Sequence, residues 1–298
     1  MNKELDFLLN LMDDPSDEVY RAIEEKFLKF GKPIVRELEM FWESSANSLV
    51  QGRIENILQK INFDFLKKQI SSWIDNSDFN LIYGSYLLTL FQYPDYEFKD
   101  INSQFEEVKR DLWLEINPQL TALEKVRVLN HVLFQVHKFQ GSRSNPTSPQ
   151  HFFINNLLDT KRGNQYSIAL LYASLAQSIE MPVYGVKLPH NYLLAYHDEK
   201  LARYAGQDQT GVLFYINPYN NGAIFGKEEL SKMLKKNKME SREAYFQPAD
   251  NVHFINQVFS SLLLTFQNLG YTDKVVRIEE LQRFITSEQT NLQKRNKK

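Results

Sequence analysis

The side chains able to do acid–base or nucleophilic chemistry in this chain are few and scattered. Its six histidines are His131, His137, His151, His190, His197 and His253. His131 and His137 lie six residues apart, off a common helical face, so they make no metal pair. No spacing of His, Asp and Glu resembles a zinc or calcium loop, and no Gly-rich phosphate cradle or dinucleotide fingerprint occurs. The chain therefore implies no cofactor and no metal. It contains no cysteine, which excludes a thiol nucleophile, thiolate ligands and disulfides.

Bulk composition narrows the partners. The 35 basic and 37 acidic residues give a formal charge of -2, so there is no electrostatic reason to expect nucleic acid or an anionic membrane. The basic cluster Lys294, Arg295, Lys297 and Lys298 reads as a solvated terminus. The opening Met1–Leu9 carries early acidic residues and no long apolar run, which is not a signal-peptide pattern. No stretch approaches the ~20 apolar residues of a membrane helix. A cytoplasmic location is expected.

The elements that must position any site fall into three stretches. Residues 1 to about 140 read as successive helices. Asp14 is the expected cap of a helix beginning at Pro15, with Val19, Ile23, Phe27 and Phe30 inward and Gly31 as its stop. Ile34, Leu38, Phe41 and Trp42 mark a second helix, and such a short pair must stack on neighbours to bury its stripes. Further helices are expected over 50–61, 63–75, 79–92 and 99–116. Thr121 and Glu124 form a capping-box pattern before Val126 and Leu129. The run from Gly141 to Pro149 is a strong loop signal. A short helix (about 150–159) precedes another that starts near Gln165 and buries Ile168, Leu171 and Leu175 until Pro182 ends it. The period then changes, giving three short strands, 183–188, 192–197 and 212–216. Two helices close the chain, separated by a stop at Gly270.

Several pieces in this order resemble one family. Phe139-Gln-Gly141, Phe153–Leu158, Arg162-Gly163, Ser167–Tyr172, Met181–Val186 and Ile216–Gly222 together resemble the SirB-type branch of the transglutaminase-like superfamily, most densely from about 125 to 225. The resemblance implies an α+β fold. Its papain-like, transglutaminase-type core with a small antiparallel sheet would span 119–240. A HEAT-like helical arm (1–118) and a tetratricopeptide-like helical pair (241–298) would flank it.

In active members of that superfamily a cysteine at the start of the central helix attacks an acyl group, a histidine activates it, and an aspartate orients the histidine. The resemblance places Gln165 at the nucleophile position, Asn191 at the histidine position (with His190 one residue earlier) and Asn217 at the acid position. With amides at all three, it implies a pseudoenzyme that binds a protein, peptide or other polar ligand. Alternatively, the amides simply bond one another. Tyr192 and Tyr219 flank them as groove candidates, while Tyr184, Tyr196 and Tyr215 suit a half-buried sheet. Arg162 stands near the helix start, available to an acidic group or to Asp159. Two other classes compete. One is a hydrolase built around His190 and Ser167, although Ser167 sits two residues past Gln165 and should face elsewhere. The other is a purely structural module.

Overall fold

The computed structural model describes residues 3–76, 80–142, 148–188, 192–204 and 210–295. The chain divides into two compact units, Met1–Ile70 and Ser71–Lys298. The first is shorter than the 1–118 arm expected from the sequence.

The first unit holds α1 (Lys3–Asn10), α2 (Asp17–Phe30), a short 3-10 turn (Lys32–Ile34), α3 (Val35–Ser44) and most of α4 (Ser48–Asp75). Ser16, not Asp14, caps α2, and Asp14 instead accepts the Ser16 backbone N–H at 2.8 Å. Gly31 ends that helix at φ +67. The two helices expected over 50–61 and 63–75 are one 28-residue helix. Only Asn62 separates them in sequence, and neither Gly nor Pro is present there to break the ladder. The apolar stripes of α2 and α3 close on Leu5, Leu8, Met12, Ile54 and Ile57. This supplies the neighbours that such short helices require.

The second unit begins with α5 (Leu81–Gln92), α6 (Phe98–Glu115) and α7 (Ala122–Asn130), the last continued by a π-helical segment, His131–Val136. The Thr121–Glu124 capping box forms as the sequence predicts. β1 (Gln140–Gly141), α8 (Ile154–Thr160), β2 (Arg162–Gly163) and α9 (Gln165–Ser178) follow, and β1 pairs in parallel with β2. Next come β3 (Val183–Gly185), β4 (Leu194–His197), α10 (Glu199–Tyr204), β5 (Val212–Asn217) and β6 (Ala223–Phe225). These strands make a four-stranded antiparallel sheet in sequence order. The fold is therefore α+β with a small antiparallel sheet, as expected. β6 and the β1–β2 pair have too few residues to show a period-2 pattern. α11 (Lys227–Lys236), α12 (Asn251–Leu269) and α13 (Thr272–Arg295) close the chain, with Gly270 in the left-handed conformation between the last two.

Two helices form the centre of this unit. In α9 every residue from Tyr166 to Ala176 is buried, and α5 is buried almost throughout. Helices apolar on all sides have no solvent face to present and must sit inside. Among the described residues, no helix is long and apolar enough to cross a membrane.

Candidate functional site

The start of α9 is fixed by short-range polar bonds. The Asn164 carboxamide oxygen accepts from the N–H groups of Tyr166 (2.9 Å) and Ser167 (3.1 Å), satisfying two of the donors that a helix start leaves unpaired. Asn164 N–H and the Ser167 hydroxyl both donate to the His151 carbonyl, at 3.1 Å and 2.7 Å. Ser167 is fully buried, and an added Cβ at Gly163 would collide with its hydroxyl oxygen. Ser167 therefore packs the inside of the turn and faces away from solvent, as its offset from Gln165 predicts. Its hydroxyl is occupied by backbone carbonyls.

Gln165 is the first residue of α9 and is half-buried. Beside it runs a row of rings. Phe152 stacks on Tyr166 (5.3 Å, 14°), Tyr166 meets Tyr192 edge-on (6.3 Å, 85°), and Tyr192 meets Tyr219 (6.2 Å, 70°). Burial pushes the Tyr192 hydroxyl pKa up. The Tyr166 and Tyr219 hydroxyls add to the rise, and a side-chain hydrogen bond with Asn217 opposes it. Such a phenol stays protonated at neutral pH and remains a donor.

The turn after β5 holds the far end of this row. Asn217 accepts the Asn220 N–H at 3.2 Å, capping the short turn Pro218–Asn220. Gly222 follows at φ +70, and an added Cβ there would overlap the Asn130 carboxamide. Asn130 donates to the Gly222 carbonyl (3.0 Å) and accepts from the hydroxyl of Tyr172 (2.8 Å), a ring wholly buried in α9. Tyr219 covers Gly141 of β1, where a Cβ would stand 2.6 Å from its ring, and its hydroxyl donates to the Ser142 carbonyl at 3.4 Å. Glycine at 141 is thus required by the ring that covers it.

The structure brings Tyr192, Asn217 and Tyr219 together, with Gln165 beside Tyr166 at the end of the row. His190 and Asn191, the expected occupants of the histidine position, lie outside the described residues. Arg162 is exposed on β2 and is in no ion pair among the described residues; Asp159 accepts from Gln104 instead, at 2.9 Å. Tyr196 and Tyr215 are buried in the sheet, and Tyr215 donates to the Phe246 carbonyl at 2.8 Å, which leaves them the structural role expected of them. Among the described residues, no group of His, Cys, Asp or Glu could hold a metal ion.

Three participants were not singled out from the sequence as parts of this site. Tyr166 was hidden inside an apolar helical run, although its place next to Gln165 was a usable signal. Phe152 and His151 carried none. Burial holds the His151 imidazole pKa below its usual value, and its Nδ1 faces the Asn156 amide at 3.4 Å.

Comparison with known proteins agrees with this arrangement at the level of family. A family model described as the transglutaminase-like superfamily matches residues 99–260. UPF0162 proteins from two strains of Xylella fastidiosa, 9a5c and Temecula1, are 22% and 23% identical over 162 residues. That segment is 54% of this chain and 54% of each relative, so the chain spans about half the length of the curated relatives it matches. F-box only protein 21 of Pongo abelii is 28% identical over 90 residues, 30% of this chain and 14% of that protein. No solved structure matches the chain.

Proposed function

Because the chain belongs to the transglutaminase-like superfamily, we propose that it is a non-catalytic member, of the SirB-type branch, that holds a peptide or another polar, extended ligand at the start of α9. The observation that carries this reading is chemical. The chain has no thiol nucleophile, and the hydroxyl of Ser167, two residues past Gln165, is buried and donates to the His151 carbonyl. The superfamily reaction requires a free nucleophile at the mouth of that helix. A carboxamide at Gln165, next in sequence to the ring row that carries the Tyr192 and Tyr219 hydroxyls, offers donors and acceptors of the kind a peptide backbone presents. The flanking rings would bury a side chain at low entropic cost. In this reading 119–240 is the ligand-holding core, 1–118 and 241–298 are helical flanks suited to a protein partner, and the protein acts in the cytoplasm.

The test compares wild type with Gln165→Arg and Tyr192→Ala variants in binding a displayed random-peptide library, alongside turnover of acyl and amide substrates. Selected peptides should lose at least tenfold affinity for both variants, with no turnover by any of the three proteins. Turnover that disappears on His190→Ala would instead establish the hydrolase. Peptide binding indifferent to both cleft substitutions would move the function to the helical flanks.

A further inference from the structure

A second polar site lies at the other end of α9. The faces of three helices converge there on a cavity of about 440 Å³, within the roughly 300–1,000 Å³ range of small-molecule sites. Asn80 and Leu81 come from the start of α5, Asn102, Glu106 and Lys109 from one face of α6, and Ser174 from α9. Ser174 is nine residues past Gln165, about 14 Å along the helix at 1.5 Å per residue. The two sites share no residue.

Ser174 is what marks this cavity as unfinished. It is 4% exposed, and its hydroxyl has no hydrogen-bond partner among the described residues. Buried hydroxyls almost always have one, because an unpaired polar group loses its water without replacement. Its neighbours on the same wall are satisfied. Gln177 donates to the Val183 carbonyl and exchanges two bonds with Asn251, while Ser178 donates to the Leu175 carbonyl.

The rest of the lining has polarity of both signs. At the start of α5 the Asn80 carboxamide oxygen is taken by the N–H groups of Ile82 and Tyr83, which leaves its NH₂ available. Leu81 N–H, in the first turn, has no intrahelical acceptor. That end of the helix carries partial positive charge and favours a carboxylate. Glu106 and Lys109 form an ion pair at 3.0 Å, so the wall supplies one full charge of each sign and nets to zero. A lone anion would meet Glu106, and a neutral polyol would leave both charges and the helix end unused.

We propose that this cavity binds a small zwitterion of the α-amino-acid type. Its carboxylate would lie at the start of α5 and toward Lys109, its ammonium toward Glu106, and its polar side chain against Asn102 and the Ser174 hydroxyl.

Calorimetric titration of the full chain with L-serine and L-glutamine tests this, with acetate and glucose as the single-charge and neutral probes. The expected result is saturable binding of at least one amino acid and none of acetate or glucose. Asn102→Ala, on the half-exposed wall, and Ser174→Ala should each weaken that binding at least fivefold. Without ligand, Ser174→Ala should melt no lower than wild type, which separates lost recognition from lost folding. Absence of saturable heat with either amino acid overturns the proposal. So does equal binding of acetate or glucose, or amino-acid binding unchanged in both variants.

Discussion

At the N-terminal end of α9, Asn164 caps two N–H groups and Ser167 donates to the His151 carbonyl. At the C-terminal end, Ser174 keeps a buried hydroxyl with no partner among the described residues. Two of the three serines of α9, seven residues apart, are thus in opposite situations: Ser167 bonded inside a tight turn, Ser174 idle at a cavity wall. The contrast teaches where to look for a ligand. A region whose polar groups are already paired has room for a ligand only at its rim, which is where the proposed contacts of Gln165 and the tyrosines lie. A region with an unpaired buried group has recognition capacity inside.

The sharpest way to break this comparison is to disturb the tight turn itself. Gly163→Ala should cost about 1–3 kcal/mol in chemical denaturation, since the new methyl overlaps the Ser167 hydroxyl. Combined with Ser167→Ala, which removes that oxygen, the cost should fall well below the sum of the two singles. Simple additivity would mean that the turn relaxes elsewhere. Asn164→Ala removes the cap and should cost about 1 kcal/mol by the same measurement. A smaller effect separates the two serines. Ser167→Ala should destabilise by roughly 0.5–1.5 kcal/mol, whereas Ser174→Ala should stay within ~0.5 kcal/mol of wild type or exceed it. Equal losses at both positions would erase the distinction.

The smallest expected effect is on pH dependence. Burial lowers the His151 pKa, and His253 is lowered chiefly by burial as well. Above the unfolded value near 6.5 the imidazole is neutral in both states and costs nothing. As pH falls below that value, the unfolded chain binds a proton that the folded chain resists, so stability declines toward the folded pKa. Melting temperature measured from pH 7 to 5 should fall in wild type and fall less steeply in His151→Gln. The residual slope should come in part from His253. A profile unchanged by the substitution would remove His151 as its source.

How much of this was legible depended on the range of the contacts involved. The Thr121–Glu124 box and the stops at Gly31 and Gly270 are local chemistry, and all three formed where the sequence places them. The cap of α2 moved from Asp14 to Ser16 because both residues are competent caps and only the backbone path decides between them. The continuity of α4 is not legible because a dip in apolar pattern at Asn62 looks like a boundary, yet no breaker enforces one. At the site, Tyr192 and Tyr219 were readable from their places beside the amide positions. Phe152, Tyr166 and the buried bond of Ser167 depend on the Pro149–Phe152 turn packing against α9, which no local pattern encodes.

The sequence alone determined that no thiol chemistry is available, because a missing sulfur atom cannot be supplied by folding. It also pointed to the α+β class, through the short β-rich runs that follow Pro182 and the family resemblance around them. Only the tertiary structure decided which polar groups are spent and which remain available. That distinction rests on pairings between residues far apart in the chain, such as Asn130 with Gly222 and Gln177 with Asn251, and these form only when the helices pack.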